Sequence, residues 1–300
     1  MKRPRPPSQA FTLMELIFSI SILLIVIVLV SGALNHVARL AQGGTGSMKT
    51  QGDARQVLDF IASELALVTP PLPGQPGNRP RLRLLGNPAN TQLPYRYPHL
   101  LAWESAADPV QSGNALETLA YFIRRTPSDG SAFASALCRM AVPVALPADQ
   151  GIPLVYRDTD WLTPDYLDAE APANEDNDYR GLFAERVLAL WIRALDAYGE
   201  PITKDAKGTG VGYEFDSEAG YTDSKNRVHP PPCLPPALEV ALVIADESAT
   251  MRMGSSLPQP VASNPALFHQ EIKNYIGGFP ASQQASIRHF VRRIPLFCQP

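Results

Sequence analysis

The chain has 300 residues, of which 45% are hydrophobic, and its formal net charge at pH 7 is -3. A chain of this length can bury one large core or two smaller ones, and we expect one elaborated globular head. The basic residues are scattered and do not form a single stripe, which argues against a nucleic-acid partner.

The N-terminus combines a basic leader, residues 1–10, with a long apolar run. Phe11 to Ala38 contains a single charge, Glu15, and is long enough for a helix to cross a hydrocarbon core of about 30 Å. Because the basic flank precedes the apolar run, the positive-inside rule keeps the leader in the cytoplasm and places the chain after about Leu40 outside. The basic residues of the leader are Lys2, Arg3 and Arg5.

A cleaved signal peptide is the alternative for this segment. A basic start and an apolar stretch followed by the small residues Ser31, Gly32 and Ala33 also fit a secretory signal, with a mature chain that begins at Leu34. Glu15 favours the membrane helix, because a signal peptide has no use for a carboxylate in its apolar run.

The boundary between leader and apolar run reads Ala10-Phe11-Thr12-Leu13-Met14-Glu15. This arrangement resembles the processing motif of the type IV prepilin family, in which a membrane prepilin peptidase cuts before the phenylalanine and methylates its new amino group. The resemblance implies cleavage between Ala10 and Phe11, N-methylation of Phe11, and Glu15 as the fifth mature residue. The chain departs from the family at Ala10, where glycine is usual.

Glu15 would be an assembly residue in such a protein. An isolated carboxylate among helices in lipid is costly, so it should be neutralised or paired. The α-amino group of Phe11 in a neighbouring subunit is a suitable cation, and it exists only after the leader is removed. The alternative is a carboxylate that reaches the headgroups from the first helical turn, where the helix dipole also favours it.

Beyond the membrane helix, the pattern predicts a break and a second helix. The transmembrane and assembly helix is assigned to 11–42, and Gly43-Gly44-Thr45-Gly46 then interrupts it as a hinge of poor helix formers. Apolar residues recur at three- and four-residue intervals over 47–68, until Thr69-Pro70-Pro71 ends the pattern. This helix should lay its apolar stripe on the head.

The head, 69–300, reads as short strands separated by proline-rich loops, which predicts an α+β fold with a β-rich antiparallel sheet. Glu185 to Asp196 fits either a helix or a strand, and Asn264-Pro265 opens a helix that Gly277-Gly278 closes. The predicted strands are Leu119 to Ile123, Met140 to Leu146, Ile152 to Arg157 and Ala237 to Ala245.

Three ordered blocks of the head carry a second resemblance: Leu154 to Arg157, Val187 to Leu190 followed by Leu195 to Gly199, and Leu234 to Leu242. In this order they resemble pseudopilin J of type II secretion and the related W-type minor pilins. That resemblance implies a pilin-like, β-rich head in a small complex at the tip of a periplasmic filament, with a strand at Glu185 to Asp196. The proline-rich insertions and the tail from Ser248 to Pro300 depart from it and resemble the prepilin-like proteins of Verru_Chthon cassettes.

Motifs for catalysis are absent from the sequence: there is no HExxH, GxSxG, Walker loop, or GxGxxG after a strand. An oxidising compartment would allow one disulfide with three alternative pairings, and three unpaired buried thiols are the other interpretation. The scattered histidines are His36, His99, His229, His269 and His289, and the cysteines are Cys138, Cys233 and Cys298.

The best metal candidate is a calcium-like loop, in which Asn174, Asp176 and Asp178 precede Glu185 at the twelfth place. Tyr179 occupies the place where the sharp turn needs glycine, so a solvated acidic loop is the main interpretation. The pseudopilin resemblance favours calcium slightly, because some of those heads hold it. We therefore expect no cofactor, with calcium as the alternative.

These observations predict a non-enzymatic minor pilin or pseudopilin: a structural subunit of a type II secretion or type IV pilus-like filament or its tip complex. It would be a single-pass inner-membrane protein with a cytoplasmic N-terminus and a periplasmic head. Its expected partners are the prepilin peptidase, other pilin or pseudopilin subunits through the N-terminal helix, and membrane lipid. The alternative is a membrane-tethered periplasmic enzyme or binding protein that uses a pilin-like export anchor.

Overall fold

The structure, a computed structural model, describes residues 51–66, 85–86, 98–106, 116–124, 135–143, 181–250, 253 and 257–296. The predicted leader 1–10, transmembrane helix 11–42 and hinge 43–46 lie outside the described residues, as does the predicted strand Ile152 to Arg157. Within the described ranges, no helix combines the length and hydropathy needed to cross a membrane.

The described residues form an antiparallel, β-rich head with helices, as predicted. The elements are α1 (51–66), β1 (Leu85–Gly86), β2 (Leu101–Ala106), β3 (Leu116–Arg124), β4 (Ala136–Pro143), β5 (Gly181–Glu185), β6 (Val187–Leu195), β7 (Phe215–Asp216), β8 (Tyr221–Thr222), β9 (Val228–His229), β10 (Ala237–Ala245), α2 (Glu247–Thr250), a 3₁₀ turn (Pro265–Leu267), α3 (Phe268–Gly277), α4 (Ala281–Gln284) and β11 (Ile287–Pro295).

These strands form two main sheets and a small hairpin. Sheet A has the order β5-β4-β3-β2-β1-β7, sheet B has the order β11-β10-β6, and β8 pairs with β9. All pairs between these strands are antiparallel. The predicted strand Ala237 to Ala245 has the same bounds as β10, and the predicted strand Leu119 to Ile123 lies inside β3. Met140 to Leu146 overlaps β4, which starts four residues earlier, at Ala136.

β10 is the central strand of sheet B and is buried on both faces. β10 pairs with β11 over nine residues and with β6 on its other side. Its side chains alternate between two core clusters, as the period of a strand requires. One face, which includes Leu242, packs into the core that α1 and sheet A share. The opposite face, which includes Val243, packs into the core beneath α3.

A β-bulge in β6 adapts this strand to the two cores. Val243 lies opposite Ala189 and Ile244 lies opposite Val187, so Leu188 is the extra residue. As a result, Leu188 and Ala189 both contact the α3 core although they are consecutive.

The corner between the two sheets lies at Arg186, which has φ +65°. β5 ends at Glu185 in sheet A and β6 begins at Val187 in sheet B. The helical alternative for Glu185 to Asp196 is therefore wrong, and the strand implied by the pseudopilin resemblance is present in two pieces. Ser135 holds the corner, since its hydroxyl donates to the Val187 carbonyl at 2.7 Å.

The described tail completes sheet B and covers one of its faces. Asn264 caps the predicted helix: its side chain accepts from the Ala266 amide at 3.0 Å, and Pro265 follows at the first helical position. Behind the cap, buried Glu271 of α3 accepts hydrogen bonds from the Ser263 and Asn264 amides and from the Tyr213 hydroxyl. These contacts fix α3 on sheet B.

Candidate functional site

Helix α1 is the described segment nearest in sequence to the predicted membrane helix, so its attachment decides how the head is held. An apolar stripe of five residues at helical spacing is buried in the core between the sheets. The stripe consists of Ala54, Val57, Leu58, Ile61 and Leu65. The helix lies within the range predicted from the sequence, 47–68.

A buried ion pair joins the C-terminal part of α1 to sheet A. The Arg139 guanidinium on β4 donates to Glu64 Oε1, with 2.5 Å between Nη2 and Oε1 and 3.1 Å between Nε and Oε1. The Tyr121 hydroxyl on β3 donates to Glu64 Oε2. The guanidinium also lies 5.9 Å from the centre of the Phe60 ring, one helical turn before Glu64.

The electrostatics of this cluster keep Tyr121 protonated and Arg139 charged. Burial raises the pKa of Tyr121, and the negative charge of Glu64 raises it further, so the phenol stays protonated and donates. Burial alone would lower the pKa of Arg139, but the hydrogen bond and charge of Glu64 raise it above the ordinary value. Each group therefore depends on its partner, because a buried charge left alone carries the full desolvation cost.

Two further ion pairs attach α1 along its length. Asp53 Oδ2 lies 3.1 Å from Nη2 of Arg186 at the corner between the sheets. Asp59 pairs with Arg292 of β11, and this pair is exposed to solvent. Together with Glu64, three acidic side chains of one helix thus reach three separate parts of the head. The arrangement fixes the position of α1 in translation and in rotation.

Sequence reasoning did not find these ion pairs. A signal was present, because Arg139 stands inside the apolar run Ala136 to Pro143, and an arginine in a buried strand requires a partner. The identity of that partner was not accessible, since Glu64 is 75 residues away in the sequence.

The predicted processing and assembly residues Ala10, Phe11 and Glu15 lie outside the described residues. So do three of the four calcium candidates, Asn174, Asp176 and Asp178. The fourth, Glu185, is an exposed residue at the end of β5. Within the described ranges, no three His, Cys, Asp or Glu side chains lie together in a geometry for a metal ion.

The four described histidines lie in different parts of the fold. His99 is buried and its Nδ1 accepts from the Ile192 amide at 2.7 Å, which is a structural role. His229 stacks on Tyr221 and lies 3.2 Å from Asp223. His269 lies on α3, 3.8 Å from Glu239, and His289 lies on β11.

The cysteine predictions stay open. Cys138 is buried on β4 and Cys233 is half-buried before β10. Cys298 lies outside the described residues.

Comparison with known proteins gives one structural likeness. No protein-family model matches the sequence, and no curated protein matches it. Among solved structures, the chain is similar to the Type IV-like pilin TTHA1219 from Thermus thermophilus, at 9% sequence identity and a TM-score of 0.34, with 81% of this chain and 93% of that chain covered. A likeness this distant does not by itself assign a fold family or a function.

Proposed function

We propose that this protein is a non-enzymatic structural subunit of the pilin type, a minor pilin or pseudopilin of a type II secretion or type IV pilus-like filament or its tip complex. The proposal starts from the sequence, in which a basic leader, the Ala10-Phe11 junction and Glu15 precede an apolar run long enough to span a bilayer. In this proposal residues 11–42 anchor the chain in the inner membrane and mediate contact with other subunits. The head then lies in the periplasm.

The observation that carries the proposal is the attachment of α1. The apolar stripe and the ion pair between Glu64 and Arg139 bind α1 to both sheets. In a filament subunit the segment that follows the membrane helix has to stay attached to the head, and α1 is the described part of that segment. A tether for an independent enzyme has no such requirement, and a linker without core contacts would serve it.

The partners follow from the same proposal. The prepilin peptidase would remove residues 1–10 and methylate Phe11, and the new amino group of one subunit would pair with Glu15 of the next. Other pilin or pseudopilin subunits and membrane lipid would surround the apolar helix. The proposal requires no cofactor.

The test is the mature N-terminus of the membrane-bound protein, read by mass spectrometry, followed by crosslinking from the apolar helix. We expect a chain that begins at N-methylated Phe11 and crosslinks to other pilin-like subunits. A soluble product that begins at Leu34 would establish the signal-peptide alternative. A processed chain without subunit crosslinks would instead support a membrane-tethered enzyme or binding protein.

A further inference from the structure

Strand β11 forms an edge of sheet B. All nine residues of β11, Ile287–Pro295, pair with β10, and in the order β11-β10-β6 no described strand lies on its other side. A strand in this position presents a row of backbone N–H and C=O groups to its surroundings, and an extended peptide can pair with such a row. Proteins usually keep edge strands short, cover them or give them charged side chains. The side chains of β11 therefore decide what this edge can do.

The side chains of β11 alternate between core and surface. Phe290 and Ile294 point to the core that α1 shares, and Ile287 points to the core under α3. Further along the α3 side, His289, Val291 and Arg293 are exposed. Val291, in the middle of the strand, is 36% exposed and offers an apolar side chain on this face.

Helix α3 packs on the same face of sheet B as His289, Val291 and Arg293. Ile287 of β11 lies in one core cluster with Phe268 and Ile272 of α3. Partial burial lowers the pKa of His289, and His269 and Lys273 of α3 lower it further. Both α3 residues are exposed. We call the surface formed by His269, Lys273, His289, Val291 and Arg293 the basic trough.

One acidic side chain beside the trough, Glu239, is already in an ion pair. Glu239 of β10 is held by Arg193, with 2.5 Å between Oε2 and Nη2, and only its second oxygen lies near His269, at 3.8 Å. Arg193 in turn lies over the Phe268 ring and donates to the Pro265 carbonyl. Glu239 stands directly opposite Arg293 in the pairing of β10 with β11, but its short ion pair is with Arg193.

Arg293 occupies a defined place at one end of the trough. Its Nη1 atom lies so close to Gly199 that a Cβ at that position would approach it to 2.9 Å. Because Gly199 has no side chain and adopts φ +83°, the loop after β6 leaves room for the guanidinium. The cation is thus positioned by the fold, at the end of an edge strand and on the same face as Val291.

We propose that the basic trough binds an extended, acidic segment of another polypeptide, which pairs with the edge of β11 as an added strand of sheet B. Main-chain hydrogen bonds supply affinity, carboxylates of the segment contact Lys273 and Arg293, and an apolar side chain covers Val291. Val291 and Arg293 stand two residues apart on one face of β11, so residues i and i+2 of the added strand, one apolar and one acidic, can meet them. The inference is independent of the pilin-type function, because it concerns a surface of the head.

The experiment uses the full-length protein in detergent micelles and a fluorescent peptide that repeats Glu-Thr-Val-Thr, so that one face of the extended peptide presents Glu and Val in turn. We expect binding by fluorescence anisotropy and slower hydrogen exchange at the β11 amides. Lys273→Glu/Arg293→Glu should weaken binding by about tenfold or more, because two attractions become repulsions. The matched control is Arg55→Glu/Lys207→Glu, which reverses two exposed charges outside the trough and should leave the affinity unchanged.

Two further probes separate the proposal from simpler explanations. The same peptide with N-methylated backbone amides keeps its charges but cannot pair as a strand, and it should not bind. A single-stranded DNA oligonucleotide should bind more weakly than the peptide. The proposal would be overturned by absence of peptide binding, by equal binding of the N-methylated peptide, or by preferential binding of the DNA. Absence of peptide binding would mean that the charges of β11 only protect the edge against aggregation.

Discussion

The Glu64 carboxylate on α1 and the Arg139 guanidinium on β4 lie 2.5 Å apart, with side-chain exposures of 11% and 7%. The pair joins the only described helix on the N-terminal side of the head to the middle of sheet A. Because both side chains are largely shielded from water, separating α1 from the head would leave each charge without its partner. This free-energy cost is much larger for a buried pair than for an exposed one.

The first prediction concerns this pair. Arg139→Met leaves Glu64 buried without its cation and should reduce the free energy of unfolding by about 3–5 kcal/mol. The double variant Glu64→Leu/Arg139→Met removes both charges and should be closer to wild type than Arg139→Met alone. Denaturant-induced unfolding, followed by tryptophan fluorescence, measures both.

Arg292→Met is the matched control for that series. It removes the arginine from the pair with Asp59, in which the two side chains are 40% and 63% exposed, and should cost about 0–1 kcal/mol. Equal losses in Arg139→Met and Arg292→Met would contradict the special role of the buried pair.

The second prediction concerns the apolar stripe of α1. A truncated chain that begins at Ser47 should be soluble and folded, whereas one that begins at Pro70 lacks α1 and exposes the surface that Leu58, Ile61 and Leu65 cover. We expect the shorter chain to aggregate or to unfold at lower denaturant concentration, since each of these side chains contributes about 1.5–3 kcal/mol on burial. Equal unfolding midpoints would show that α1 does not stabilise the head.

The third prediction concerns pH and Glu271. Burial opposes ionisation of this carboxyl, but hydrogen bonds from Tyr213, Ser263 and Asn264 outweigh burial, and the pKa of Glu271 is lowered. The unfolded chain therefore takes up the proton more readily. The contribution to stability is complete above the ordinary pKa of about 4.3 and is lost as pH falls through the lowered value.

Glu271→Gln tests this linkage. The variant should lose about 1.5–3 kcal/mol near neutral pH, because hydrogen bonds to a charged acceptor are replaced, and its stability should fall less steeply under acid conditions than that of wild type. Glu200→Gln, at an exposed position, serves as the control and should reproduce the wild-type pH profile. A Glu271→Gln profile parallel to wild type would mean that another group dominates acid unfolding.

The fourth prediction concerns Glu15 and tests the proposed function. Glu15→Leu should leave membrane insertion and leader cleavage largely intact, because the variant removes an ionisable group from a helix that enters lipid, a change worth up to about 3 kcal/mol at mid-membrane. Assembly should fail, since the neighbouring Phe11 amino group loses its partner. The measurement compares crosslinks of processed wild type and variant to pilin-like subunits. Equal co-assembly would remove the physical argument for an assembly helix.

Several elements were accessible from local sequence. Ala237 to Ala245 is apolar at every position except Glu239, and such a short apolar run suffices for a buried strand with those bounds. Asn264-Pro265 and Gly277-Gly278 delimit the second predicted helix, because a capping side chain and helix-breaking residues act within a few positions. The stripe of α1 repeats with the period of a helix.

Other elements depended on distant partners. In β11 the apolar residues Ile287, Phe290, Val291 and Ile294 stand at helical spacing, yet the segment is a strand because it pairs with β10 over its whole length. β6 was ambiguous for a similar reason: its apolar residues face two cores, and a bulge at Leu188 breaks their alternation. Hydrogen bonds to a neighbouring strand outweighed local preference in both cases.

The sequence by itself determined the candidate membrane segment, the stripe of α1, and the central strand of sheet B, since each depends on a pattern within a single run of residues. Only the tertiary structure decided which residues hold α1 to the head and which side chains form the basic trough. Glu64 meets Arg139 across 75 positions of the chain, and α3 and β11 share one core because the tail folds back on sheet B. Such contacts depend on where whole elements pack, and no local period encodes that.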